Sequence, residues 1–158
     1  MKHSFKSISV YFDDTYNLIG VPSAIVKKWN ALVDIDNIVS LKTPYNDYEL
    51  EQFLENVFSL CYSYTPDELS KQSALQKYLG VKSYSASVKK FGLVSLQWFK
   101  EQGYVIAPMW QNAKLKNAFH QLENKTLNVV NQYKDGELAK SFRNVMRSSP
   151  IGPLNQKP

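Results

Sequence analysis

Only one cysteine, Cys61, and two histidines, His3 and His120, occur in the chain. One thiol excludes a disulfide framework. Together the three residues fall short of the four nitrogen and sulfur ligands that a structural zinc site requires. Asp34 and Asp36 in "DIDN" open like a calcium loop, but Ile38, Val39 and the absence of a following glycine break the ligand series. A glycine-rich phosphate loop, a G-x-S-x-G elbow and an H-E-x-x-H helix are all missing. Cys61 lies on the apolar stripe of a helical pattern, where a thiol is inert. No catalytic residue, metal or cofactor is expected, and the chain reads as a non-enzyme. No apolar run approaches the ~18 residues of a membrane span. Asp13 and Asp14 follow the first apolar run too closely for a signal-peptide core. The expected location is a reducing cytoplasm, with no membrane partner.

What is present is a globular composition: 44% apolar, 13% aromatic and 21% charged residues in 158. That length forms one domain able to bury its own core. Charge is unevenly spread. Residues 1–80 carry seven lysines against ten acidic residues, whereas residues 81–158 carry ten lysines and two arginines against four. Such a dipolar surface steers a charged partner.

"SISVYFD" alternates with the two-residue period of a half-buried strand. "VPSAIVKKWNALV" places Ile25, Trp29 and Leu32 on one helical face, and "DIDNIVSLK" reads as extended. Asn46 and Glu49 have capping-box spacing before Leu50, Phe53, Leu54, Val57, Phe58 and Cys61, which follow the helical period. A second helix is expected from Thr65 in "TPDE" to Gly80. "GLVSLQWF" and "YVIAPMW" form a hairpin, with an edge or bulge at Pro108, which lacks a backbone donor. "AKLKNAFHQL" has helical spacing and "TLNVVNQY" reads as a strand. A last helix, capped by Asp135, carries Leu138, Phe142, Val145 and Met146. The expected fold is a single α+β domain, residues 1–149, with a mainly antiparallel sheet and flanking amphipathic helices. The proline-rich end, residues 150–158, reads as a flexible tail.

"LQKYLGVKSYSASVKKF", "VSLQWFKEQGYVIAPMWQN" and "ELAKSFRNVMRSS" follow one another in an order that resembles the contact-dependent growth inhibition immunity proteins. The resemblance is to the group of about this length that neutralises nuclease toxin domains. It spans Leu75 to Ser149. It implies a cytoplasmic protein that binds the cognate C-terminal toxin domain of a large exoprotein, as a monomer in a one-to-one complex. It also implies that a toxin β-hairpin enters a pocket and pairs with a sheet edge. Residue type and position, rather than the resemblance, select Lys82, Tyr84, Gln97, Tyr104 and Trp110 as the partner-binding set, because a peptide pocket wants rigid aromatic walls and a few polar groups. The alternative is a basic nucleic-acid-binding regulator, with Lys82, Lys89, Lys90, Lys100, Lys114 and Lys116 around the aromatic strands. Direct nucleic-acid binding is the less favoured reading, since the sheet needs the same aromatic residues for its core.

Overall fold

Alternating Ile8, Val10 and Phe12 form strand β1 (Phe5–Phe12), which lies at the centre of a nine-stranded sheet in the computed structural model of residues 3–158. The other strands are β2 (Leu18–Val26), β3 (Ala31–Asp34), β4 (Val39–Leu41), β5 (Gly92–Phe99), β6 (Gly103–Asn112), β7 (Ala118–Gln121), β8 (Leu127–Val129) and β9 (Pro153–Leu154). The main order is β3-β2-β1-β5-β6-β7, with β4 added to β2, and β8 and β9 added to β6. Every described pairing is antiparallel except β6 with β9. The fold is α+β, as the sequence indicates.

One face of the sheet presents Ile8, Val10, Phe12, Val94, Leu96, Tyr104 and Ile106 to helices α1 (Asp47–Ser59) and α4 (Glu137–Ser148). Burying each large apolar side chain there contributes about 1.5–3 kcal/mol. The opposite face packs Tyr11, Val21 and Leu93 against Leu75 of α2 (Ala74–Leu79) and Val88 of α3 (Tyr84–Val88). α1 approaches the sheet closely because β2 carries Gly20, where a β-carbon would come within 2.5 Å of Val57 Cγ2. The N-terminus of α1 closes as its spacing predicts: Asn46 Oδ1 accepts from the Glu49 N–H at 2.8 Å, and Glu49 Oε1 accepts from the Asn46 N–H at 3.1 Å.

Two prolines occupy interior strands by the same device. β2 pairs with β4 through Leu18–Gly20 and with β3 through Ser23–Val26, which leaves Pro22 between the two short partners. β6 pairs with β8 through Tyr104–Ile106 and with β7 through Met109–Asn112, which leaves Pro108 between them. The missing N–H of each proline faces a break in the outer ladder. Each proline carbonyl is still used, accepting from Ile35 N–H at 2.9 Å and from Leu122 N–H at 2.8 Å. The expectation of a free edge or bulge at Pro108 is thereby corrected: β6 is interior, and the ladder is interrupted only where proline cannot donate.

Other differences have local causes. "VPSAIVKKWNALV" is the end of β2, a turn at 27–30 and β3 rather than a helix. Its β-branched residues favour the pleated surface, and Asn30 at φ 47° turns the chain. The helix expected from Thr65 begins only at Ala74, capped by Ser73 with Gln76 completing the box. Residues 66–72 offer one apolar side chain, Leu69, so no stripe exists to bury. Gly80 ends α2 in the left-handed conformation, φ 68°, as expected. "AKLKNAFHQL" forms a single 3-10 turn, Ala113–Leu115, because Lys116 and Asn117 both adopt positive φ before β7 begins. The "TLNVVNQY" strand is β8.

The last helix forms, but Gly136 rather than Asp135 occupies its cap position and carries no side chain. The cap comes from α1: Glu51 Oε1 accepts from the Gly136 N–H at 3.0 Å and Oε2 from the Ala139 N–H at 2.9 Å. Beyond α4, the tail expected to stand apart places Pro153 and Leu154 beside Gln111 and Asn112, and the Gly152 N–H donates to Phe91 O at 3.1 Å. Gln111, fully buried, donates to the same carbonyl at 2.8 Å and to Val88 O at 2.7 Å.

Candidate functional site

The sheet ends at β3 on one side and at β7 on the other. An end strand offers a row of unpaired N–H and C=O groups to an incoming chain. The two ends differ in chemistry. Around β7 stand Lys114, Lys116, His120 and Lys125, and lysine is the residue that commonly blunts an edge. β3 borders a cleft of about 470 Å³ lined by apolar and acidic groups with Lys77, and Lys27 and Lys28 are exposed in the turn that leads into the strand.

The cleft lies between β3 and residues 64–77, and Leu32, Asp34, Asp36, Tyr64, Leu69 and Lys77 are among its walls. Three of these are large apolar side chains left in solvent, Leu69 at 53% exposure, Leu32 at 43% and Tyr64 at 41%, and Trp29 at the β2–β3 turn is 57% exposed. Clustered exposed apolar groups beside a strand edge mark a surface that becomes covered. The walls are tied together. The Asp36 N–H donates to Tyr64 Oη at 2.8 Å, Asn37 Nδ2 donates to Ser63 Oγ at 2.6 Å, and Lys77 Nζ pairs with Asp36 Oδ2 at 3.3 Å. With Asp36 matched by Lys77, Asp34 and Glu68 leave the cleft negative.

Asp34 keeps solvent contact as a residue, yet desolvation around its carboxyl raises its pKa to about 6, and the Ser23 hydroxyl, donating at 3.3 Å, only partly opposes this. Burial, and then the Asp34 charge, also raise the Tyr84 phenol above its ordinary value. Asp34 is thus a carboxylate held in a poor environment at neutral pH. A cation brought by a partner would relieve that cost.

The five residues selected from sequence do not converge. None lines the cleft. Tyr84, 37% exposed, opens α3 close enough to Asp34 to feel its charge, and Lys82 is exposed on the short link between α2 and α3. Gln97 is partly buried in β5, pairing with Ser7 and Val105. Trp110 is buried, its ring 5.5 Å from that of His120. Tyr104 is buried under α1 and donates to Glu55 Oε1 at 2.6 Å, where Tyr133 Oη also donates at 2.9 Å. The residues that sequence reasoning passed over are Leu32, Tyr64 and Leu69. The signal for Leu32 is "KKWNAL", in which Trp29 and Leu32 flank a turn residue and which the helical reading assigned to a core; Tyr64 and Leu69 have no comparable signal in sequence.

No protein-family model matches the chain, and no curated protein matches it. Solved structures do. The fold is similar to a protein of unknown function from Neisseria meningitidis, with a TM-score of 0.70 and 11% identity over 95% of this chain and 99% of that one. It is also similar to a chain of the CdiA-CT/CdiI toxin and immunity complex from Yersinia pseudotuberculosis, with a TM-score of 0.65 and 9% identity over 94% of this chain and 99% of that one. At these identities the likeness is one of fold, extending over nearly the whole domain. Among the described residues no helix is long and apolar enough to cross a membrane, and no group of three metal-ligating side chains is present.

Proposed function

We propose that this chain is an immunity protein that binds and neutralises the toxin domain of a contact-dependent growth inhibition exoprotein, receiving a toxin strand at the β3 edge. The observation that carries the reading is the unpaired β3 edge beside an open cleft with exposed apolar walls and an acidic balance, in a fold shared with a chain of a toxin and immunity complex. Main-chain hydrogen bonds along Ala31–Asp34 supply affinity that tolerates sequence variation, while side chains of the incoming strand entering between Leu32 and Leu69 supply specificity. The negative balance at Asp34 and Glu68 selects a basic strand and repels an acidic one. The role needs no chemistry from the chain itself.

The test is calorimetric titration with the cognate toxin domain, with growth protection measured in parallel. Leu32→Asp and Asp34→Lys, both at exposed positions, are expected to weaken binding about thirtyfold or more each, the loss of a ~2 kcal/mol anchor, in variants shown by circular dichroism to be folded. Lys116→Glu at the opposite end is expected to leave affinity unchanged. Strong binding by both β3 variants together with a loss in Lys116→Glu would place the partner at β7 instead. Absence of binding by the unaltered chain would end the immunity reading.

A further inference from the structure

A second cavity, about 290 Å³ and sharing no wall with the cleft, is lined by Tyr16, Thr43, Pro44, Tyr45, Arg143, Met146 and Arg147. Its aromatic walls are held by a dense local network. Asp13 accepts four hydrogen bonds, from the Thr15 N–H, the Thr15 hydroxyl, the Asn17 N–H and Asn17 Nδ2. Asn17 Oδ1 in turn accepts from the Thr43 N–H at 2.9 Å and from its hydroxyl at 3.2 Å. Tyr45 Oη donates to Tyr16 O at 2.8 Å, and the Tyr45 carbonyl accepts from Arg143 Nη2 at 3.1 Å. The outcome of this bonding is unusual. Tyr16 sits at φ 64°, a conformation that bulky residues avoid, and the residue is 43% exposed, with its ring stacked on that of Phe12 at 6.2 Å between centroids. A strained backbone that serves to hold an aromatic ring in solvent points to a ring with work to do.

The cations of the cavity differ in availability. Arg143 lies over the Tyr45 ring at 5.1 Å and is matched by Asp47 at 3.0 Å. Arg147 meets only a neutral group, donating to Asn144 Oδ1 at 3.1 Å, and forms no ion pair among the described residues. The cavity therefore joins the face of an exposed ring to a guanidinium with charge to spare. Asp13, in the turn that carries Tyr16, is already hydrogen-bonded on both oxygens, and Asp47 is taken up by Arg143.

We propose that this cavity binds a single nucleoside monophosphate unit, its base against Tyr16 and its phosphate on Arg147. Base stacking on an aromatic side chain and a forked guanidinium contact to phosphate are the two interactions these residues provide. The volume admits a small ligand only. Arg147 also borders an open depression where Asp47, Asp135 and Glu137 are interspersed with Lys134, Lys140 and Arg143, so the charges nearly cancel and no continuous basic track for successive phosphates leads away from the cavity. The shared chemistry has two sources, a free mononucleotide or the phosphorylated end of a polynucleotide. The site is independent of toxin binding at β3.

Calorimetry on the full chain with adenosine monophosphate, adenosine, inorganic phosphate and two short oligoadenylates, with and without a terminal phosphate, tests this. The monophosphate is expected to bind at least tenfold more tightly than adenosine or phosphate alone. Arg147→Gln is expected to weaken it about tenfold. Tyr16→Asn, which tolerates the left-handed backbone, is expected to do likewise, both variants melting as the unaltered chain does. A terminally phosphorylated oligoadenylate that matches the monophosphate assigns the site to strand ends; one that fails to bind assigns it to free nucleotides. No binding of the monophosphate at millimolar concentration, equal binding of inorganic phosphate, an unchanged constant in Arg147→Gln, or tighter binding of the unphosphorylated oligoadenylate would each overturn the proposal.

Discussion

Removing the carboxylate of Glu51 uncaps a helix on the far side of the sequence. Glu51 is 6% exposed and its two oxygens accept from the Gly136 and Ala139 N–H groups, 85 and 88 residues away. Gly136 has no side chain to substitute for it, so the first turn of α4 depends on α1. Loss of a helix cap costs about 0.5–2 kcal/mol, and hydrogen bonds to a charged acceptor contribute roughly 1.5–3 kcal/mol each. Glu51→Gln keeps the shape and one acceptor but turns an NH₂ toward a backbone donor, and a cost of about 2 kcal/mol follows. Glu51→Ala loses both bonds and packing between α1 and α4, for about 3 kcal/mol. In a domain of this size each kcal/mol moves the melting temperature by about 2–4 °C, so drops of about 4–8 °C and 6–12 °C are expected. Urea unfolding followed by circular dichroism reads the same quantities, with an unchanged m-value showing that the folded state is intact. Stability of Glu51→Gln equal to that of the unaltered chain would refute the reasoning, because it would mean that water caps α4 as well as the carboxylate does.

Further outcomes follow from the packing and from the buried ionisable groups. Trp110→Ala is expected to cost about 3–5 kcal/mol by equilibrium unfolding, and Trp98→Phe about 1 kcal/mol, the latter through loss of the 2.6 Å bond from Trp98 Nε1 to Asn131 Oδ1. Ending the chain after Ser149 removes β9 and the Gly152 bond to Phe91 O, and is expected to lower stability by about 1–2 kcal/mol in the same assay. Burial, reinforced by the Glu55 carboxylate, raises the Tyr104 and Tyr133 phenols above their ordinary values. The unfolded chain then loses these protons first, so stability is full below about pH 10 and falls above it, and Glu55→Gln makes the fall shallower in a pH series of melting temperatures. Asp34, raised to about 6, behaves as an acid favoured in its protonated form: its contribution is present below pH ~4 and declines as pH rises to about 6, so Asp34→Asn is expected to melt higher than the unaltered chain at pH 7 and equal to it at pH 4.

Much of the fold was legible where local chemistry decides it. The Asn46–Glu49 box, the left-handed Gly80 and the alternation of β1 and of the β5–β6 hairpin each depend on neighbours in sequence, and each formed where its residues indicate. The failures share a cause, which is that the deciding partner is distant. "VPSAIVKKWNALV" becomes a strand pair because β1, distant in sequence, offers its first half a ladder, and Pro108 is tolerated inside the sheet because two separate segments, β7 and β8, share one side of β6. The cap of α4 is a side chain from α1, a relation that no window of sequence contains. The candidate site was less legible than the fold. Aromatic residues suit cores and pockets equally, and only the three-dimensional arrangement shows that Tyr104 and Trp110 are buried while Leu32, Tyr64 and Leu69 are left in solvent. The two ends of the charge-lopsided chain became the two ends of the sheet, an acidic cleft at β3 and a lysine-lined edge at β7.

Amide hydrogen exchange of the chain with and without the cognate toxin domain tests the central claim most directly. Strand addition at β3 closes the outward-facing amides of residues 31–34 into a ladder and covers the cleft, so exchange there and in residues 64–77 is expected to slow at least tenfold in the complex. Residues 118–121 of β7 are expected to exchange at their original rate. A complex that forms while residues 31–34 exchange unchanged, with new protection at 118–121 or on the helical face instead, would contradict the account.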